Sequence, residues 1–462
     1  MFKKIVAGFL VCLFVCSSFC SCGKSAVKQS NESLTFRFWQ YGGESPDYQE
    51  WKSAIDKYRR EYPDVEVNVE LVEVNPEEET DQYYQKLTAD LIAGKGPDVL
   101  FYNTNFAHQT DIYKMQRSGA FADMTAFMED DPDFRMEDYH QAVFDGARLQ
   151  NKLCVVPVSY QIPLFLSTQE LLDEAGIYPE RCVDSAALLR EIRSYWERNA
   201  TNQEARRIFN VPKLFQWFYR YMGIDLIDFE NRTVNAKADG FREAMEFWKE
   251  ISPHEPQGPS GEALLPNASA FQGVFWMERR ESVTAFGPFG YNSYFSNISY
   301  LQGYGTPVVF PWRDHNGRIQ AQLAVGAMVS SASPNQQNAW DFIKILLGNE
   351  NQLNLCAEGA GIPVMKRVWE PFFDINWPDK YPEEYSLWNN RDEKIVFTVH
   401  TVDRSYLEPF LAWQEEIAGL SMEYPLSTSL YDEHLMKYVA GEQSYEDMER
   451  EVQNLLEIYI SE

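Results

Sequence analysis

Apolar and polar residues alternate from Leu34 to Trp39 (LTFRFW), a stretch rich in strand formers, and Gln40, Tyr41, Gly42 and Gly43 end it. From Asp47 to Tyr62 the period lengthens. Trp51, Ile55 and Tyr58 fall on one helical face, Asp47 is the expected helix cap, and Pro63 stands just past the end. Val65, Val67, Val69 and Leu71 then alternate strictly with polar residues, which is strand spacing. Tyr83 to Ala93 is helical again, with Leu87 and Leu91 on one face and Gly94 as the expected C-cap. Pro97–Asp98 leads into Val99, Leu100 and Phe101, a short buried strand. The order β-α-β-α-β predicts a parallel sheet with right-handed crossovers. Open α/β sheets bind ligands at the carboxyl ends of their strands. Here those ends are Gln40–Gly43 and Tyr102–Asn105, both rich in aromatic and amide side chains.

Further on, Leu153 to Pro157 (LCVVP) reads as an apolar strand. Asp184 can cap a helix in which Leu188, Ile192 and Trp196 recur at fourfold spacing. Asn338 to Leu347 (NAWDFIKILL) is a strongly apolar helix. The last helix opens on Ser444 and Asp447, a capping-box pattern, and places Met448, Val452, Leu455 and Tyr459 on one stripe. There is no internal repeat and no low-complexity block.

The chain has 462 residues, 45% of them hydrophobic, enough for a large core in two or three domains. Its net charge of −28 excludes a nucleic-acid binder, because nothing would neutralise phosphates, and argues against docking on anionic lipid through the polypeptide. An aromatic content of 15%, with acids spread along the chain, excludes extensive disorder.

Lys3 and Lys4 precede an apolar run from Ile5 to Phe19, followed by Cys20, Ser21, Cys22 and Gly23. A short basic region, a short apolar region and small residues form a secretory signal rather than a spanning helix. The segment resembles a bacterial lipoprotein signal, with 1–21 removed and Cys22, after the small Ser21, acylated. Residues 22–33 then form a polar tether. Cleavage there leaves 39 basic and 69 acidic residues, a net charge of −30. Beyond Cys22 only Cys154, Cys182 and Cys356 remain, which implies no disulfide scaffold, and no spaced His/Cys cluster implies a metal. No cofactor is expected.

Several segments, in order, resemble the family 1 extracellular solute-binding proteins of ABC importers. TFRFWQYGG is similar to the family's first strand and ligand loop, AIDKYRREYPDVEVNVE to its next helix and strand, and YYQKLTADLIAGKGPDVLFYN to the following pair. SGAFADMTAFM, NKLCVVPVSYQIPLFLSTQELLDEAGI, ASPNQQNAWDFIKILLGNENQ, GIPVMKRV and VAGEQSYEDMEREVQNLLEIY follow at matching distances. The chain departs from the family at Ser167–Thr168, which replace a Tyr-Asn pair, and at Cys182–Val183, which replace a Thr-Trp helix start.

The resemblance implies a two-lobed α/β periplasmic-binding-protein fold of type II, each lobe a mostly parallel sheet flanked by helices. Chain crossings are implied near Val158–Tyr160, near Gly305–Pro311 and after Leu347. The lobes are then 34–158 with 306–347, and 159–305 with 348–462. The sequence supports the first two crossings on its own terms: VVPVSY and GTPVVFP each set a proline in a short extended run, as a semi-rigid hinge strand does.

A sugar presents apolar ring faces edged by hydroxyls, so its site needs aromatic plates flanked by hydrogen-bonding side chains. At the end of the first strand, Trp39, Gln40 and Tyr41 meet that need, and Glu44 can accept from a hydroxyl. Asn103 and Asn105 follow the third strand, and Asp98 is expected to be structural. Tyr160 and Gln161 sit at the first crossing, where the family places a carboxylate that contacts sugar. Phe289 and Tyr291 replace the tryptophan of the family's Gly-Pro-Trp stacking loop. Trp312 follows the second crossing, and Glu358 lies in a late shared loop.

The expectation is a binder and not an enzyme: a monomer held to the outer side of the cell membrane by lipid. It would close over a carbohydrate, with several aromatics favouring an oligosaccharide, and deliver it to ABC permease subunits. Two alternatives stand beside it. One is a secreted glycosidase, since paired carboxylates and aromatics would serve that reaction as well. The other is a binding protein coupled to a sensor.

Overall fold

The computed structural model describes residues 33–461, except 75–79, 104–105, 108–109, 203, 210–217, 255–276, 278–281, 359–360, 369, 371–372, 374–383, 389–393, 399 and 423–430. The expected signal, Cys22 and nearly all of the tether lie outside the described residues.

The strands are β1 (Ser33–Gln40), β2 (Glu66–Glu73), β3 (Val99–Tyr102), β4 (Val156–Thr168), β5 (Ile227–Asp228), β6 (Thr233–Val234) and β7 (Ala285–Phe289). They continue with β8 (Pro307–Pro311), β9 (Ile319–Val329), β10 (Ile362–Pro363), β11 (Glu384–Trp388), β12 (Lys394–Thr398) and β13 (Ile417–Ser421). Nine of them form one sheet, ordered β10-β4-β9-β3-β1-β2, with β13 beside β9 and with β7 and β8 beside β4.

The period-based reading of the first third holds. β1 pairs in parallel with β2 on one side and with β3 on the other, and the helices Pro46–Glu61 and Thr80–Ile92 make the crossovers. Trp51, Ile55 and Tyr58 are buried, and Trp51 lies flat on Phe101 with ring centroids 4.3 Å apart. Ser45, not Asp47, caps the first helix, its Oγ accepting from the Tyr48 amide. Asp47 instead accepts from the Trp39 indole at 2.9 Å, a partner that local spacing does not reveal. Asp98 is structural: it accepts from the Thr35 amide and from the Ser333 hydroxyl, pinning β1 to the turn after β9.

The sheet is mixed, because β9 runs against the first three strands while β4, antiparallel to β9, runs with them. β4 is longer than the run LCVVP predicts and carries two prolines. Pro163 gives up its own donor, yet its carbonyl still accepts from the Trp312 amide at 2.9 Å, so the strand continues through it. The first half of β4 pairs with β9 and the second half with β7 and β8, so one strand serves both lobes. Its register against β9 shifts at Pro157–Ser159 and again at Ser159–Tyr160.

Two cores flank the sheet. One, built on Phe36, Trp51, Tyr58, Trp340 and Phe342, runs along β4 to the helices Tyr291–Leu301 and Leu407–Glu415. The other gathers Tyr84, Leu87, Leu100, Phe106, Met115 and Met328. A third core lies under the helices Ser185–Arg198, Asp239–Ile251 and Tyr445–Ser461. Asp184 caps the first of these through the Ala187 amide at 2.7 Å. Ser444 begins the last, whose buried stripe is Met448, Val452, Leu456 and Tyr459, with Leu455 only partly buried. Cys154 and Cys182 are buried and free. Among the described residues no helix is long and apolar enough to cross a membrane.

Candidate functional site

A cavity of about 500 Å³ opens between the third core and the edge of the large sheet, a size ordinary for a small-molecule site. Three walls enclose it. The first comes from residues 219–229. The short helix Phe218–Tyr221 supplies Tyr219 and Arg220, Gly223 turns the chain at φ +78, and the run into β5 brings Asp225, Asp228 and Phe229. The second wall is the start of β9, with Gln320 and the preceding Arg318. The third is Leu420, Ser421 and Met422 at the end of β13, with Tyr113 from the helix Ile112–Arg117.

The rim is aromatic. Tyr113 and Phe229 stack face to face, centroids 3.7 Å apart and planes 2° from parallel. Tyr113 packs against cores of both lobes, so this stack closes the gap between them. Tyr459 meets Phe229 edge-on and donates its hydroxyl to Asp111 at 2.6 Å, and the Lys114 ammonium lies over its ring. Asp111 also caps its own helix through the Lys114 amide.

Charge is arranged unevenly around the cavity. Asp225 is exposed at the cavity, yet the surrounding protein partly desolvates its carboxylate. That desolvation raises its carboxyl above the ordinary value; Arg220 opposes the shift and Asp228 adds to it. Asp228 moves the other way, held low by hydrogen bonds from the Asn231 side chain and amide. The wall therefore mixes two carboxylates, two guanidiniums, an amide, three hydroxyls and ring faces. Among the described residues no group of three or more His, Cys, Asp or Glu is placed to hold a metal ion.

The residues singled out from the sequence sit elsewhere. Trp39 and Asn103 come together with Asp47 around a small hollow of about 30 Å³ in the first lobe. Asn103 spends its side-chain oxygen on the Phe106 amide, a local turn bond. Gln40 is half-buried at the end of β1, while Tyr41 and Glu44 form an exposed tight turn closed by their own backbone bonds. Tyr160 is fully buried, its hydroxyl on Gln414 and its ring edge-on to His140. Gln161 is half-buried on β4 opposite Gln322. Phe289 and Tyr291 are packed into the core that runs along β4, where Tyr291 meets Phe295 and Phe410. Trp312 is buried among Phe165, Tyr221 and Phe286. Large rings gain most by burial, and these four are spent on packing. Asn105 lies outside the described residues, and Glu358 ends the helix Asn349–Glu358. None of the residues singled out lines the large cavity. Its own lining was missed because YRYMGIDLIDF carries no helical or strand period; the one local signal is its interleaving of rings with charges around a glycine.

Residues 42–353 match the family model described as bacterial extracellular solute-binding protein. No curated protein sequence matches the chain. Among solved structures, it is similar to the sugar-binding protein MalE from Xanthomonas citri, with 14% identity, a TM-score of 0.64, and coverage of 92% of this chain and 97% of that one. A cyclic alpha-maltosyl-1,6-maltose binding protein from Arthrobacter globiformis gives 14% identity and a TM-score of 0.61 over 93% and 99%. An ABC substrate-binding protein from Listeria monocytogenes, in complex with cycloalternan, gives 14% identity and 0.58 over 93% and 99%. At such identity these likenesses establish the two-lobed fold.

Proposed function

The chain belongs to the bacterial extracellular solute-binding proteins, and within that family we propose that it captures a sugar or oligosaccharide in the cavity between its lobes and passes it unaltered to an ABC permease. One observation carries the reading: a polar cavity of about 500 Å³ built from both lobes and from the strand between them, rimmed by the Tyr113–Phe229 stack. Hydroxyls find acceptors in Asp225 and Asp228 and donors in Arg220, Arg318 and Gln320, while ring faces find aromatic surface. The solved relatives named for maltose-type sugars and cycloalternan favour the same ligand class.

Because the cavity walls belong to different cores, a ligand touching all of them favours the closed arrangement by its extra contacts there. Residues 1–21 act as a signal and Cys22 carries lipid, holding a monomer on the outer face of the membrane. Labelling with a fatty acid, lost in Cys22→Ala, checks the anchor.

The decisive experiment is a thermal-shift screen of the mature chain against mono- and oligosaccharides, followed by calorimetry of each hit. A ligand that binds only the folded state raises the melting point. Asp225→Asn should weaken binding of the hit about tenfold or more, the scale of a lost hydrogen bond to a charged group. A panel without hits ends the carbohydrate reading. A hydrolase would instead use two carboxylates on one wall, and Asp225 and Asp228 both line the cavity. Sugar recovered from the complex as shorter products would establish that reading.

A further inference from the structure

We propose that Asp314 is the positioning residue of the ligand site: its buried carboxylate sets the placement of Arg318 and Gln320, two side chains on the cavity wall. The inference rests on the cavity being the solute site. Asp314 is fully buried and is not itself on the wall.

The two carboxylate oxygens divide their work. Oδ1 accepts from the amides of Asn316 at 2.8 Å and Arg318 at 2.9 Å, closing the turn that leads into β9. Oδ2 accepts from the Gln320 side-chain amide at 2.9 Å and from the Arg318 guanidinium, whose Nη2 lies 3.2 Å away. All four partners are donors, so the position calls for an acceptor on both sides. A carboxylate supplies that and an amide cannot.

The surroundings are cut to the same arrangement. A Cβ on Gly419 would come within 2.4 Å of the Gln320 Oε1, so the amide of Gln320 lies across bare backbone. A Cβ on Gly223, at the cavity turn, would come within 3.0 Å of the Asp314 Cβ. The next residue, His315, donates its amide to the Met222 carbonyl at 3.2 Å. The turn at 222–223 is thus tied by the His315 backbone to the loop that the Asp314 carboxylate closes ahead of β9.

Asp314→Asn tests this with nearly unchanged volume. With its oxygen kept on the turn, the new NH₂ faces only donors, and Gln320 and Arg318 must swing away. The first readout needs no ligand. In the chain labelled with ¹⁵N at glutamine, the Gln320 side-chain signal is assigned by its loss in Gln320→Ala. In Asp314→Asn it should move to the position of a solvated amide and exchange with water at least tenfold faster. An unmoved signal in a folded variant overturns the proposal. The second readout is titration with maltotriose. Asp314→Asn should weaken binding about tenfold, and by less than twofold in an Arg318→Ala, Gln320→Ala background, because residues acting as one unit are not additive. Additive losses overturn the proposal. If maltotriose and the rest of the panel bind no variant and no wild type, the carbohydrate reading fails while the amide signal still decides on Asp314. Should Asp314→Asn not fold, Gly419→Ala displaces the same amide from the other side. It should then move the same signal, and an unmoved signal refutes the idea.

Discussion

Phe229→Ala probes the contact that joins the lobes at the cavity rim. The ring lies 3.7 Å from Tyr113 in a parallel stack and 6.5 Å from Tyr459 edge-on, and it is only half-buried otherwise. Losing an aromatic pair costs ~1 kcal/mol beyond buried area. Exposing the half-buried ring costs about 1 kcal/mol more. Both terms belong to the closed arrangement, because Tyr113 comes from the helix Ile112–Arg117 and Phe229 from the opposite wall. Closure is therefore weakened by about 2 kcal/mol, and a ligand that needs the closed form should bind roughly thirtyfold more weakly. Calorimetric titration with the best sugar of the screen gives the affinity, and urea unfolding of the free protein gives its stability. The expected result is a large affinity loss with a stability change below about 1 kcal/mol. Affinity within threefold of wild type in a folded variant would refute the reasoning, as would equal losses in both measurements.

Tyr459→Phe removes the hydroxyl that donates to Asp111 at 2.6 Å and should weaken sugar binding by about 1.5 kcal/mol, near tenfold, in the same titration. His140, pushed down to about 4 by burial, with Lys366 adding and a Gln414 hydrogen bond opposing, is neutral in the fold. The unfolded chain takes up that proton near pH ~6.5, so stability is full above it and falls towards pH 4, by about 3 kcal/mol. Urea midpoints across that window should show the slope in wild type and a flatter one in His140→Gln. Gly290→Ala puts a Cβ within 2.7 Å of the Gly361 Cα, backbone against backbone, and should cost roughly 1–3 kcal/mol by urea unfolding.

Elements whose hydrophobic period is set by one buried face could be read from the chain. The strand at 34–39, the helix around Trp51, Ile55 and Tyr58, and the helix capped by Asp184 each bury the face their spacing marks. Asp47 and β4 show the limits of that reading. The partner of Asp47 is an indole eight residues upstream, and β4 continues through Pro163 because its carbonyl, not its missing amide, makes the bond to Trp312. The cavity was illegible for a different reason. Tyr113, Phe229, Gln320 and Leu420 are far apart in the chain and meet only through tertiary packing. A ring such as Trp312 offers the same chemistry to a core as to a sugar, and composition does not distinguish the two uses.

The continuous β4 has a mechanical corollary. A strand bonded to β9 along one stretch and to β7 and β8 along the next leaves no exposed connector at that junction for a protease to cut. Nicks elsewhere should leave fragments that migrate as one particle until denaturant is added. The halves should likewise resist expression as separate pieces, since either would carry a raw strand edge where its neighbour had been.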